Sequence, residues 1–169
     1  MKKKYSLSVV FAFVIISQIT FNIDKCSAQW VQRSNGIGIN QNVLSFGKLG
    51  NYTFAGTHDS GVYRSENYGA SWNQTTLNNR TVTSFGTLGT YIFTGISGAG
   101  SASGVYLSMD NGENWSQTGL HYSVYSIAVS GPNIIAGTFA QGIYISSNNG
   151  TSWTNTGQSN FNSVFSLCA

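Results

Sequence analysis

Charged side chains are scarce in this chain: Asp, Glu, Lys and Arg together make up 8% of its 169 residues. The few that occur also balance. Beyond residue 28, Arg33, Lys48, Arg64 and Arg80 stand against Asp59, Glu66, Asp110 and Glu113, so the formal charge of +3 belongs to the first residues. A neutral body without clustered Lys or Arg excludes electrostatic binding to nucleic acid or an anionic membrane surface, because phosphate recognition needs such clusters. Cysteine is nearly missing too. Cys26 falls in the leader and leaves Cys168 by itself, so no internal disulfide is expected and stability must come from packing and hydrogen bonds. No segment of the body sustains apolar residues at i, i+3, i+4, which excludes helix as its building element. No apolar run reaches the ~20 residues that a membrane-spanning helix needs.

The first 28 residues have the layout of a secretory signal peptide. Lys2, Lys3 and Lys4 form a basic start, Leu7 to Ile16 an apolar stretch, and Cys26-Ser27-Ala28 places small residues at −3 and −1 of a cleavage site. The apolar run from Leu7 to Phe21 is short for a membrane anchor and carries Ser17, Gln18 and Thr20. Asp24-Lys25 before Cys26 speaks against a lipid-modified cysteine. The expectation is an exported protein, secreted, periplasmic or on the cell surface, with a leader of bacterial type.

What the body contains is repetition. "VLSFGKLGNYTFAGTHDSGVY" from Val43, "VTSFGTLGTYIFTGISGAGSASGVY" from Val82 and "VYSIAVSGPNIIAGTFAQGIY" from Val124 are one pattern, which restarts at Val164. The period is about 40 residues. Within each unit, short β-branched or aromatic runs alternate with Gly/Asn turns, four per unit, the size of one β-propeller blade. The expected fold is all-β. It comprises blades of four antiparallel strands, about three of them, with Trp30-Val31-Gln32 as an N-terminal outer strand and the ring open. The propeller portion covers 29–169, with units 43–81, 82–123 and 124–163 and a partial unit 164–169. Closed rings use four to eight blades, so the chain reads as the N-terminal part of a longer propeller.

An octet closes each unit: "SENYGASW" (Ser65, Asn67, Gly69, Trp72), "SMDNGENW" (Ser108, Asp110, Gly112, Trp115) and "SSNNGTSW" (Ser146, Asn148, Gly150, Trp153). The Asp or Asn oxygen is expected to accept a backbone N–H two residues on. The glycine should supply φ > 0 where the hairpin reverses, and the Trp should bury itself between neighbouring blades. Asn in two of the three copies suits a turn, since the carbonyl is kept, and does not suit a catalytic acid. One carboxylate per octet at most falls short of a calcium cage. No metal and no cofactor is expected.

The octet resembles the Asp-box or BNR repeat, Ser-x-Asp-x-Gly-x-Thr-Trp, and the resemblance spans residues 30 to 169. Ser108, Asp110, Gly112 and Trp115 match it, with Asn114 in the Thr position; Ser71 and Ser152 stand there in the other copies. The resemblance implies a propeller of the kind found in sialidases, xyloglucan-degrading glycosidases, sortilin-type receptors and photosystem II assembly factor-like proteins. Enzymes and non-enzymes share the box, so it implies no activity.

Propeller geometry puts the octets and the turns between first and second strands on one face, and the remaining loops on the other. On that second face fall Arg33, His58, Asp59, Arg80, His121 and Tyr122 as candidate ligand-binding residues, with Asn79, Gln141 and Phe161 near them. The second unit carries a longer loop there, "ISGAGSAS" against "THDS", read as a flexible surface loop. No set of residues completes a catalytic site. Asp59 is the one carboxylate on this face where glycosidases use two, and two histidines make a poor zinc site. No catalytic residue is therefore assigned. The expected function is recognition or scaffolding of a glycan or extracellular protein. The alternatives are the first blades of a carbohydrate-active hydrolase with its catalytic pair beyond Ala169, and an assembly factor-like propeller.

Overall fold

The computed structural model describes residues 32–38, 40–157 and 163–168, which belong to a compact unit running from Gln32 to Ala169. The expected signal peptide, the expected outer strand at Trp30-Val31 and Phe161 lie outside the described residues. Three antiparallel sheets of four strands follow one another. The first holds β1 (Val43–Leu49), β2 (Tyr52–Thr57), β3 (Val62–Ser65) and β4 (Asn73–Gln74). The second holds β5 (Thr81–Leu88), β6 (Tyr91–Ser97), β7 (Gly104–Ser108) and β8 (Ser116–Gln117). The third holds β9 (Val124–Ser130), β10 (Asn133–Thr138), β11 (Ile143–Ser146) and β12 (Thr154–Asn155). Each is an up-and-down meander, and the first strands β1, β5 and β9 lie side by side. This is the blade arrangement of a β-propeller, open rather than closed.

Local chemistry makes each hairpin. Gly50, Gly89 and Gly131 open two-residue turns with φ of 57°, 60° and 57°, and Pro132 can follow Gly131 because the second turn position keeps φ negative. Each inner strand carries a β-bulge at the second residue of its Val-x-Ser start. Val43 pairs with Thr57 and Ser45 with Gly56, leaving Leu44 unpaired, and the same slip isolates Thr83 and Tyr125. In every unit a strand-four amide ties down the loop between strands two and three: Gln74 Nε2 donates to Ser60 O at 2.7 Å, Gln117 Nε2 to Ser101 O at 2.7 Å, and Asn155 Nδ2 to Gln141 O at 3.0 Å. The longer loop of the second unit is therefore anchored, with Tyr106 Oη donating to Ala102 O at 3.0 Å as a further tie.

The core lies between sheets. One cluster joins Leu49, Phe54 and Val62 of the first sheet to Val82, Ile92, Ile96 and Tyr106 of the second; another joins Phe93 and Val105 to Val124, Ile127 and Ile134. Phe54 and Phe93 have no exposed surface, and each such burial contributes roughly 2–3 kcal/mol. Close approach at the centre requires glycine. A Cβ on Gly47 would stand 2.7 Å from Phe85 Cβ, and one on Gly86 2.5 Å from Ile127 Cγ2. Hydroxyls stitch the inner strands together: Ser45 Oγ donates to Val82 O at 3.1 Å, Thr83 Oγ1 to Val124 O at 2.7 Å, and Ser126 Oγ to Val164 O at 3.3 Å.

Candidate functional site

The three octets are superimposable hydrogen-bond knots, wired differently from the expected turn. The hub is the serine. Ser65, Ser108 and Ser146 are 1% exposed, and each Oγ accepts the N–H of the octet glycine, at 2.8, 2.8 and 2.9 Å. The same Oγ accepts the N–H two residues on and donates to the Asn or Asp oxygen, at 3.0, 2.8 and 3.0 Å. The Asn67, Asp110 and Asn148 oxygens accept backbone N–H groups four residues on, from Ser71, Asn114 and Ser152 at 2.9, 2.9 and 3.0 Å, not two residues on. The expected short turn fails because the serine hydroxyl already takes the nearer N–H groups. Gly69, Gly112 and Gly150 do have φ of 83°, 81° and 83°.

The Asn and Asp copies are complementary variants. Where Asn67 and Asn148 stand, their Nδ2 donates to Ser71 and Ser152 Oγ, both at 2.9 Å; where Asp110 stands, Asn114 Nδ2 donates to its Oδ2 at 2.8 Å. Asp110's oxygens are thus occupied by its own hairpin. Its slight burial pushes the pKa up, but hydrogen bonds from Asn114 backbone and side chain, Ser108 and the Glu113 backbone prevail and hold it below the ordinary 3.8. The Trp residues join units. Trp115 meets Phe54 of the first sheet edge-on, with centroids 6.4 Å apart, and Trp153 Nε1 reaches Thr118 Oγ1 of the second unit at 3.3 Å. Trp72 is buried, and its Nε1 donates to Arg33 O at 3.1 Å.

At the opposite end of the sheets, the loop after β2 and the segment entering β5 form a cleft of about 240 Å3. Asp59, Asn79, Arg80 and Thr81 line one side, and Ser97, Gly98, Ala99, Ala102 and Ser103 of the longer loop the other. The backbone fixes this arrangement. Gly61 N–H donates to Arg80 O at 2.9 Å, and Thr57 Oγ1 closes the Asp59 loop on Gly61 O at 2.8 Å. Asp59 and Asn79 both adopt positive φ, 71° and 51°, as their short polar side chains allow. Asp59 Oδ1 accepts Thr81 Oγ1–H at 3.0 Å and Oδ2 faces His58 Nδ1 at 2.8 Å. Arg80 donates from Nη1 to Asn79 O at 2.9 Å, while its Nε is buried without a partner among the described residues.

The other candidates are placed apart from this cleft. His58 stands behind Asp59, more than half exposed. His121 backs the longer loop from its far side, its carbonyl 3.5 Å from Ser103 Oγ. Tyr122 pairs with Tyr144 at 5.4 Å, and the hydrogen bond and mutual repulsion with that second phenol push the Tyr122 hydroxyl above its ordinary 10. Gln141 contributes a carbonyl to Asn155. Arg33 lies on the flank of the first sheet, lining a cleft of about 340 Å3 with Ile37, Val43, Phe46 and Trp72.

Residue-type reasoning missed two features. Thr81 is a cleft residue because the strand start brings it to Asp59. Phe139 occupies the place of His58: both N–H groups donate to the chain entering the inner strand, His58 to Asn42 O at 2.9 Å and Phe139 to Ser123 O at 2.8 Å. With Tyr125 and Phe165 it forms an aromatic cluster, centroids 6.0 and 5.0 Å from Tyr125. Aligning the three loops reveals the His-to-Phe exchange; the bulge that turns Tyr125 towards Phe139 leaves no sequence mark.

The chain matches no family model and no curated protein. It is similar in structure to the computationally designed Ika4 protein, with 9% identity and a TM-score of 0.59 over 75% of this chain and 78% of that one. It is also similar to YCF48 bound to D1 peptide, with 17% identity and a TM-score of 0.55 over 67% of this chain and 40% of that one. An ancestral GH74 enzyme matches at 20% identity and a TM-score of 0.56, over 70% of this chain and 19% of that one. The chain thus spans less than half of YCF48 and about a fifth of the GH74 enzyme, both β-propellers. At these identities the likeness establishes the fold.

Proposed function

We propose that this chain is an exported recognition module that holds a glycan or a protein segment on its loop face, in the cleft between the first and second units. The cleft carries the reading: it is assembled from three separate loops and offers a guanidinium, a carboxylate, an amide and hydroxyls over about 240 Å3. Such convergent polar groups on a rigid sheet scaffold suit hydrogen-bonded recognition. The carboxylate there, Asp59, already accepts Thr81 and faces His58, which favours binding over bond cleavage. The peptide bound by YCF48 supports a protein segment as one ligand class for this fold. Export rests on the Lys2–Lys4 start and the apolar Leu7–Ile16 stretch.

Glycan and peptide arrays probed with the wild type and with an Asp59→Ala/Arg80→Ala double variant test this reading. Retention by the wild type on one class, reduced at least roughly tenfold in the variant, is the expected result, matching the loss of two polar anchors. Equal retention by both proteins would remove the cleft from the function. His121→Ala, on the far side of the longer loop, should bind as wild type does.

A further inference from the structure

One contact joins the sheets and recurs along the chain. Phe85 and Ile127 occupy the same place on their inner strands, three residues after the strand's valine, and each rests on a glycine of the preceding sheet, Gly47 and Gly86. Phe46 holds that place in the first sheet. Apart from a tilted contact with Trp72 at 6.5 Å it projects outwards, 67% exposed, with Leu44 48% exposed beside it. The adjoining cleft of about 340 Å3 adds Ile37 and Val43 to this apolar face.

The described residues at the other end present the complementary half. Val164 packs on Gly137, its Cγ1 2.7 Å from where a Cβ would stand, as Val124 packs on Gly95 at 2.8 Å. Its carbonyl accepts the Ser126 hydroxyl, as Val82 O accepts Ser45. The place held by Gly47, Gly86 and Ala128 in the three units then falls on Cys168, which is small and exposed. From Asn114 to Ala169 the chain contains no Asp, Glu, Lys or Arg, so this end carries no charge to desolvate and none to repel the exposed Lys48 of β1.

We infer that the chain associates head to tail with a second copy of itself, Phe46 of one copy seating over Cys168 of the other as Phe85 seats on Gly47. The partner is a second copy because the two surfaces continue an interface that the chain already makes twice within itself. The contact is heterologous, one end meeting the other. It replaces exposed aromatic surface by contact with a charge-free strand, the composition that marks interface cores.

Sedimentation velocity on the full chain with Cys26→Ser, from about 1 to about 100 µM, tests the association, since mass action makes it concentration-dependent. The expected result is a sedimentation coefficient that rises with concentration. Phe46→Glu, at a surface position, should keep the far-UV circular dichroism spectrum and weaken association by roughly 30-fold or more, the scale of a hot-spot aromatic. In the same background Phe46→Cys should form an interchain disulfide with Cys168 on mild oxidation, the geometry needing Cα atoms about 4.4–6.8 Å apart. That dimer should vanish with Cys168→Ser. A monomer at every concentration overturns the inference, as does association without the cross-link. A cross-link that survives Cys168→Ser overturns it too, since two Phe46 faces would then be meeting.

Discussion

At the scale of single residues, the octets show how a buried hydroxyl can organise a hairpin. Ser108 accepts two backbone N–H groups and donates to Asp110, so its removal would strand several donors. The Asp copy adds a pH dependence that its Asn sisters lack. Asp110 has a folded pKa below its ordinary 3.8, so its contribution is complete above about pH 4 and is lost as pH falls through the lowered value. Thermal melts at pH 7 and about pH 2.5 should therefore show a larger fall in Tm for the wild type than for Asp110→Asn. An equal fall would mean that the knot does not depend on ionisation. Tyr68 carries a different cost. It holds φ of 55° where the sister octets place Asn111 and Asn149 at 58° and 54°, and a left-handed residue other than Gly or Asn costs ~1–2 kcal/mol. Tyr68 is 73% exposed, so little packing is lost on replacement. Tyr68→Asn should raise stability by about 0.5–1 kcal/mol in urea unfolding.

At the scale of strands and sheets, the units differ where they meet. Ser45 and Ser126 bond the next unit's valine carbonyl, but in the second unit the bulged Thr83 takes Val124 O, and Ser84 Oγ is left buried with no partner. Ser84→Ala should therefore be neutral or stabilising by up to about 1 kcal/mol, whereas Ser45→Ala should cost about 1 kcal/mol. Denaturant melts of both variants make the comparison, and a destabilised Ser84→Ala would show that the hydroxyl has a partner after all. Glycine at the inner strands is a packing requirement. Gly86→Ala places a methyl 2.5 Å from Ile127 Cγ2, and the forced shift of sheet against sheet should cost roughly 1–3 kcal/mol. A smaller loss would mean that the sheets can slide apart without penalty.

At the scale of the whole molecule, ion pairs contribute little. Among the described residues Arg64 reaches Glu66 at 2.8 Å and Glu113 at 3.1 Å, tying the first sheet to the second octet, and His58 meets Asp59. The carboxylates are largely exposed, and exposed pairs are worth ~0–1 kcal/mol and screened by salt. Raising sodium chloride from about 50 to about 500 mM should shift Tm by no more than a few degrees. A large shift would give electrostatics a role that this sparse charge set does not support.

The repeat was legible because it is carried by local chemistry. Glycine at turns, alternating β-branched residues and the Ser-x-Asx-x-Gly octet act over a few residues, so they mark strand order and hairpin positions directly in the sequence. The hydrogen-bond wiring of the octet was not legible, because a serine hydroxyl and an Asx oxygen compete for the same N–H groups and burial decides which takes them. The cleft was legible in part. Asp59, Asn79 and Arg80 could be assigned to one face, but that Thr81 and the anchored longer loop join them, and that Arg33 and His121 do not, depends on distances between loops. The sequence alone determined the all-β class, the number of sheets and the face that carries the octets, since each follows from contacts within one unit. Only the tertiary structure decided which side chains meet across units, which hydroxyl is stranded at Ser84 and which aromatic, Phe46, remains uncovered, because those depend on how one sheet rests on the next.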